Sequence, residues 1–150
     1  MAANAEREFH LTIGSRFENI ELVQMMVDEA LAGRAIAEDV RHWIGLALRE
    51  AVANAIKHGN RLEAGKRVDV GVRLGDDAVE ILVSDEGNGF DPGGVGDPLA
   101  PENRFRVDGR GIFYMRKFMD EVDYSFAPGG GTIVTLRKHL GSSSAAGQHR

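Results

Sequence analysis

The sequence predicts an α+β fold, a two-layer sandwich in which helices cover one face of a mixed β-sheet. Three observations support this class. Two segments with helical hydrophobic spacing follow an initial strand, two alternating segments come next, and a second pair of short alternating segments closes the domain. This order of elements places the helices together against one sheet face.

The first half of the chain predicts one strand and two helices. Residues 8–13 are typical of a short strand. A helix then opens at Ser15 or Glu18 and runs to about residue 32, where Gly33 ends it. A second helix is expected over residues 37–58, since its apolar residues fall at helical spacing and Gly59 follows.

The second half predicts two hairpins separated by a long loop. Residues 68–74 and 79–84 alternate with period two, which is typical of antiparallel strands with one packed face. Residues 85–108 lack periodicity and are rich in glycine and proline, so we expect a functional lid. A helix from about Arg110 and strands over 121–127 and 132–138 complete the domain, 1–140. We expect residues 141–150 to form a disordered tail.

Composition excludes several classes of function. The 150 residues suit one domain, and the formal charge of −5 argues against direct nucleic-acid binding. The chain has no cysteine, which excludes disulfides, thiolate metal sites and a cysteine nucleophile. Residues 1–9 lack the apolar core of a signal peptide, and no apolar run approaches the roughly 20 residues that span a bilayer. We therefore expect a cytoplasmic protein without a membrane partner.

The second predicted helix carries a polar ridge. Glu50, Asn54 and His58 are spaced i, i+4, i+8 beside an apolar stripe rich in alanine. Asparagine is a mediocre helix former, and its side-chain oxygen suits Mg²⁺, which takes few protein ligands. Asn54 is thus a candidate metal ligand, Glu50 a neighbouring base and His58 a candidate contact for ATP. The alternative is an ordinary exposed helix face on which His58 only interacts favourably with the helix dipole.

Two glycine-rich segments extend this candidate site. Asp85 follows a predicted buried strand and precedes Gly87 and Gly89, so its carboxylate could accept a hydrogen bond from the adenine amine while the glycines lie against the base. The alternative is a common Asp-initiated turn. Further on, a helix N-terminus that could bind phosphate is formed by Gly109, Arg110, Gly111 and Ile112.

The three segments together resemble a known superfamily. Glu-x-x-x-Asn on a helix, Asp-x-Gly-x-Gly after a strand, Gly-x-Gly after a lid and Gly-Thr in the last hairpin are similar to the GHKL (Bergerat) ATPases over residues 8–139. Within that superfamily the sequence of these motifs is most similar to that of the anti-sigma-factor serine/threonine kinases. Histidine kinases often have Asn at the position of Glu50, which disfavours that branch.

The resemblance implies a site and a function. Asp85 would bind adenine, Asn54 would hold Mg²⁺, Glu50 would be the general base, Gly109 and Gly111 would lie against the phosphates, and Thr132 would support the adenine end. The protein would be an ATP-dependent serine/threonine kinase and anti-sigma factor, a homodimer that phosphorylates a small antagonist protein and sequesters a sigma factor. One alternative is an ATP-binding module that holds a partner without turnover. Another is a plain α+β interaction domain with coincidental glycines.

Overall fold

The computed structural model describes residues 7–87, 115–128 and 130–140. Within these ranges the order of elements agrees with the prediction: β1 (Arg7–Gly14), α1 (Ile20–Ala32), α2 (Glu38–Asn54), β2 (Arg67–Leu74), β3 (Ala78–Asp85), β4 (Glu121–Phe126) and β5 (Thr132–His139). A 3-10 turn, Phe17–Asn19, leads into α1, and a π-helical turn, Ala55–Gly59, extends α2. Residues 115–118 are also helical.

The five strands form a sheet in the order β1-β2-β3-β5-β4. The two-layer α+β class with helices on one face is confirmed. The expected mixture of parallel and antiparallel strands is wrong for the described residues, because each neighbouring pair is antiparallel. The reason is that two antiparallel helices, rather than one, connect β1 to β2, and the additional reversal of the chain makes β2 antiparallel to β1. Contacts between Glu21 and Arg49, and between Gln24 and Gly45, show that the two helices run in opposite directions.

The core lies between the helical layer and one face of the sheet. Every second residue of β2 is buried, as the alternating pattern predicts: Val68, Val70, Val72 and Leu74. The helix α2 contributes the largest share of the helical side: Ile44, Gly45, Ala47, Leu48, Ala51 and Val52. Burial of these apolar groups holds the C-terminal end of α2 firmly against the ends of β2 and β3. No helix in the described ranges has the length and apolarity needed to cross a membrane.

The end of the second helix differs from the expected continuous α-helix. The α-helical hydrogen bonding stops at Asn54, and residues 55–59 form a π-helical turn in which the Asn60 N–H donates to the Ala55 carbonyl at 2.8 Å. Such turns are frequent at functional sites. Apolar spacing cannot separate the two helix types over a single turn, so the π-helical turn could not be predicted from the sequence. Asp85, the first residue of the expected lid, is instead the last residue of β3, and Glu86 and Gly87 follow it. Outside the described residues lie the rest of the expected lid, residues 88–108, the start of the helix at Arg110 and the C-terminal tail.

Candidate functional site

Asp85 is the last residue of β3, and its carboxylate lies where three chain segments meet. Its Oδ1 accepts hydrogen bonds from the Gly87 N–H at 3.0 Å and from the Thr132 N–H at 3.1 Å. The second bond follows from the sheet, because antiparallel pairing brings the start of β5 beside the end of β3. The predicted residues Asp85, Gly87 and Thr132 therefore come together in space.

Three glycines surround this carboxylate so closely that no side chain fits. A Cβ on Gly59 would overlap Asp85 Oδ2, and a Cβ on Gly87 would overlap the Gly59 carbonyl oxygen. Gly131 has a φ of +92°, and a Cβ there would overlap the main-chain oxygen of Asp85. These three glycines form a cradle of bare backbone packed around Asp85, with no side chain in between.

The environment of Asp85 has opposing effects on the pKa of its carboxyl. Burial raises the pKa of this carboxyl above its ordinary 3.8, and this is the largest effect. The two N–H groups of Gly87 and Thr132 and the positive charge of Lys66 lower the pKa and oppose part of the increase. Ionising the Asp85 carboxyl therefore costs free energy, and one of its oxygens, Oδ1, accepts hydrogen bonds from the backbone.

The polar residues of α2 lie on the adjoining helical element. Glu50 and Asn54 are half-buried and one helical turn apart, and Asn54 is one π turn before Gly59. The Nδ2 of Asn54 is buried and has no hydrogen-bond partner among the described residues. His58 lies within the π-helical turn, also half-buried, and its predicted contact with ATP stays a prediction.

The described residues fit an adenine nucleotide with its metal. The cradle around Asp85 offers a carboxylate acceptor for an exocyclic amine and a backbone surface for the ring. A buried donor without a partner, such as Asn54 Nδ2, costs about 1–3 kcal/mol unless a bound polar group satisfies it. The side-chain oxygen of Asn54 is the residue's metal-ligating atom, of the type that Mg²⁺ prefers. Gly89, Gly109, Arg110, Gly111 and Ile112, the other predicted nucleotide contacts, lie outside the described residues.

Several residues of this site were missed from the sequence. The sequence predicts Gly59 only as the end of a helix and Gly131 only as the glycine of the Gly-Thr motif in the last hairpin, yet both pack directly against Asp85. Lys66 contributes charge to the site from the loop before β2. The position of Gly59 directly after the polar end of the predicted helix could have indicated that it belongs to the site. Lys66 gave none, because its proximity depends on the pairing of β2 with β3.

The chain is similar over most of its length to a known domain family and to several characterised proteins. The family model for the histidine kinase-like ATPase domain matches residues 13–138. The anti-sigma F factor of Bacillus licheniformis is 35% identical over 142 residues, which cover 93% of this chain and 97% of the relative. The anti-sigma F factor of Geobacillus kaustophilus is 33% identical over 140 residues, covering 92% and 96%.

A solved structure has the same fold. The crystal structure of the RsbU and RsbW domains of a Mycobacterium tuberculosis protein superposes with a TM-score of 0.65 at 21% sequence identity. The match covers 89% of this chain but 32% of the larger one, so the present chain corresponds to about a third of that protein.

Proposed function

Since this chain belongs to the histidine kinase-like ATPase domain family, we propose that it binds ATP at Asp85 and phosphorylates serine or threonine in a protein partner. We further propose that it acts as an anti-sigma factor, sequestering a sigma factor and phosphorylating a small antagonist of that sequestration. The names of its curated relatives support the regulatory role.

The observation that carries the proposal is the carboxylate in its glycine cradle. A carboxylate accepts hydrogen bonds and offers none, so it favours a base with an exocyclic amine and disfavours one with a carbonyl at that position. The glycines Gly59, Gly87 and Gly131 bring bare backbone close to Asp85, where a Cβ would overlap neighbouring atoms. These properties together support adenine rather than guanine as the bound base.

Phosphoryl transfer depends mostly on positioning and charge neutralisation. The proposed base is Glu50, one turn before Asn54 on α2. In the transfer, the hydroxyl oxygen of the acceptor bonds to the γ-phosphorus, the bond from that phosphorus to the oxygen of ADP breaks, and Glu50 accepts the hydroxyl proton. Asn54 would hold Mg²⁺, which supplies positive charge against the phosphates when bound. Arg110 and the glycines beside it are proposed phosphate contacts.

The test measures binding and transfer separately. Calorimetry with Mg-ATP gives the affinity, and γ-labelled ATP with candidate antagonist proteins gives the transfer rate. We expect Glu50→Ala and its isostere Glu50→Gln to keep ATP affinity and to lose about 10²–10⁴-fold in transfer. Asn54→Ala should weaken Mg-ATP binding itself. Undiminished transfer by both Glu50 variants would remove Glu50 from the mechanism.

Partners can be found with the same protein. A pull-down in the presence of ATP, followed by mapping of phosphosites on captured proteins, identifies both the sequestered factor and the substrate. ATP affinity together with a captured sigma factor, but with no phosphosite on any captured protein, would instead favour a binding module without turnover. Sedimentation of the free protein tests the proposed homodimer.

A further inference from the structure

Asn60 is a fully buried polar residue next to the candidate site, and the proposed function gives it no role. Its Nδ2 donates to Ser15 Oγ and to the Arg67 carbonyl, both at 2.9 Å. Its Oδ1 accepts from the Glu86 N–H at 2.8 Å. Both donors of the carboxamide and its acceptor are therefore used. One side chain joins the segment after β1, the start of β2 and the residue that follows Asp85.

The backbone around Asn60 follows a path that needs such support. The preceding residues form the π-helical turn Ala55–Gly59, and the next two, Arg61 and Leu62, have φ values of 52° and 60°. The left-handed region costs a residue with a side chain about 1–2 kcal/mol. A conformation of this kind persists where the surroundings hold it in place, and such strain clusters at functional sites.

The position of Asn60 links the two sides of the cradle. Gly59 precedes it directly in the chain, and its partner Glu86 follows Asp85. A Cβ on Gly59 would overlap the Asp85 carboxylate, and a Cβ on Gly87 would overlap the Gly59 carbonyl. The backbone at Gly59 is therefore in direct contact with the segment from Asp85 to Gly87. The hydrogen bond between Asn60 and Glu86 spans this same gap one residue further along on each side.

We propose that Asn60 is a positioning residue for the base-binding pocket: its carboxamide sets the spacing between Gly59 and Asp85 and thereby the selectivity for adenine. This inference rests on the proposed ATP site. Asn60 touches no ligand in this role and acts through the carboxylate of Asp85.

The test compares ATP with inosine triphosphate, which has a carbonyl where adenine has its amine. Affinities for both are measured by calorimetry or competition at a temperature where circular dichroism shows each variant fully folded. The wild type should prefer ATP, and Asp85→Asn should abolish most of the preference. We expect Asn60→Ala to reduce the ATP-to-inosine-triphosphate affinity ratio about tenfold, as the loss of a buried hydrogen-bond network implies.

A control separates positioning from general loss of stability. Val27→Ala removes two buried methyl groups from α1, away from the cradle, and should lower stability while leaving the affinity ratio unchanged. If Asn60→Ala does not fold, Ser15→Ala decides the question by the same ratio, since it removes one partner of the carboxamide and should reduce the ratio by about threefold.

The possible outcomes are distinct. A wild-type protein without measurable ATP affinity overturns the proposed function itself. A wild type that prefers ATP, together with a folded Asn60→Ala variant of unchanged ratio, overturns only the role of Asn60, even if that variant binds both nucleotides more weakly. A reduced ratio in Asn60→Ala or Ser15→Ala, with Val27→Ala unchanged, supports the inference.

Discussion

At the scale of single residues, Asp85 combines two opposed requirements. In the proposed role the ionised carboxylate accepts the stronger hydrogen bond from an amine, yet burial raises the pKa of Asp85 and so penalises the ionised form. In the unliganded protein the folded state holds the proton of Asp85 more tightly than the unfolded chain does. The ionised residue therefore subtracts stability above its folded pKa, and this penalty disappears as the pH falls through that pKa toward 3.8.

Asp85→Asn should therefore have opposite effects on stability and on binding. We expect the unliganded variant to be more stable than the wild type at pH 7, with the difference shrinking on acidification, as measured by urea unfolding at several pH values. Its ATP affinity should fall at least about tenfold, because a hydrogen bond to a charged group is lost. Asp123→Asn, the same charge change at an exposed position of β4, should show neither effect.

The pH dependence of binding follows from the same carboxylate. ATP affinity of the wild type should decrease as the pH falls through the raised pKa of Asp85, that is, at a higher pH than an ordinary aspartate would require. Calorimetry across this range measures the decrease. A wild-type affinity that declines only below the ordinary range of aspartate would contradict the expectation.

Gly59 gives a second test at this scale. The Cβ of Gly59→Ala would overlap the Asp85 carboxylate, so the carboxylate has to move, and we expect ATP affinity to drop about tenfold or more. Overpacking should also lower the free energy of unfolding by about 1–3 kcal/mol. The matched control is Gly65→Ala, since a Cβ on Gly65 meets nothing within 4 Å. Equal ATP affinities in the two variants would refute the cradle as a binding surface.

At the scale of elements, the turn after α2 stores backbone strain. Arg61 and Leu62 are both left-handed, and the Leu62 side chain is 50% exposed, so it contributes little packing. Leu62→Gly should raise the free energy of unfolding by about 1 kcal/mol, because glycine adopts this conformation without steric cost. Leu62→Ala removes the same packing but keeps the Cβ, and should give no such gain in thermal or urea unfolding.

A second contact between elements joins α2, residues 115–118 and β5. Trp43, the lone tryptophan of the chain, stacks on Phe118 with ring centroids 6.4 Å apart, and Lys138 Nζ lies 5.5 Å from the centroid of the tryptophan ring. Phe118→Ala should shift the Trp43 fluorescence to the red and cost at least about 0.5–1.5 kcal/mol of stability. Phe126→Ala, at a 41% exposed position, should leave the emission unchanged.

The elements themselves were largely predictable, and the departures have physical causes. Alternation in residues 68–74 fixed the buried face of β2, and Gly33 marked the end of α1. The π-helical turn was not predictable, because over a single turn the apolar residues Ala55 and Ile56 can face the core in either type of helix. The hairpins β2–β3 and β4–β5 agree with the prediction, whereas the antiparallel pairing of β1 with β2 and of β3 with β5 depends on the long connections rather than on any local pattern.

At the scale of the whole molecule, the site depends on contacts between segments far apart in sequence. Asp85, Gly87 and Thr132 carried recognisable motif positions and could be predicted. Gly131 and Asn60 could not be assigned a role, because their neighbours become known only once β3, β5 and the end of α2 are placed together. Motifs thus identified residues that come together at the candidate site but not the residues that hold them in place.

Ligand binding should stabilise the entire domain. With Mg-ATP at about 100 times its Kd, the free energy of unfolding should rise by about 2.7 kcal/mol, since the unfolded chain has no cradle to bind it. For a chain of 150 residues this corresponds to an increase in Tm of roughly 5–10 °C. Asp85→Asn should lose at least about half of this gain at the same nucleotide concentration, because a tenfold loss of affinity leaves about 1.4 kcal/mol. An equal gain in both proteins would place the nucleotide elsewhere.

The place of β5 in the sheet has a consequence for synthesis on the ribosome. Among the described residues β5 is the last strand, yet it lies between β3 and β4, and its first residue donates a hydrogen bond to Asp85. A nascent chain that has not yet released β5 has β3 as an open edge and a carboxylate lacking the Thr132 N–H. On the proposed function, nucleotide binding therefore requires β5, and we expect a product truncated before residue 132 to bind no nucleotide and to pair its open edge with other strands.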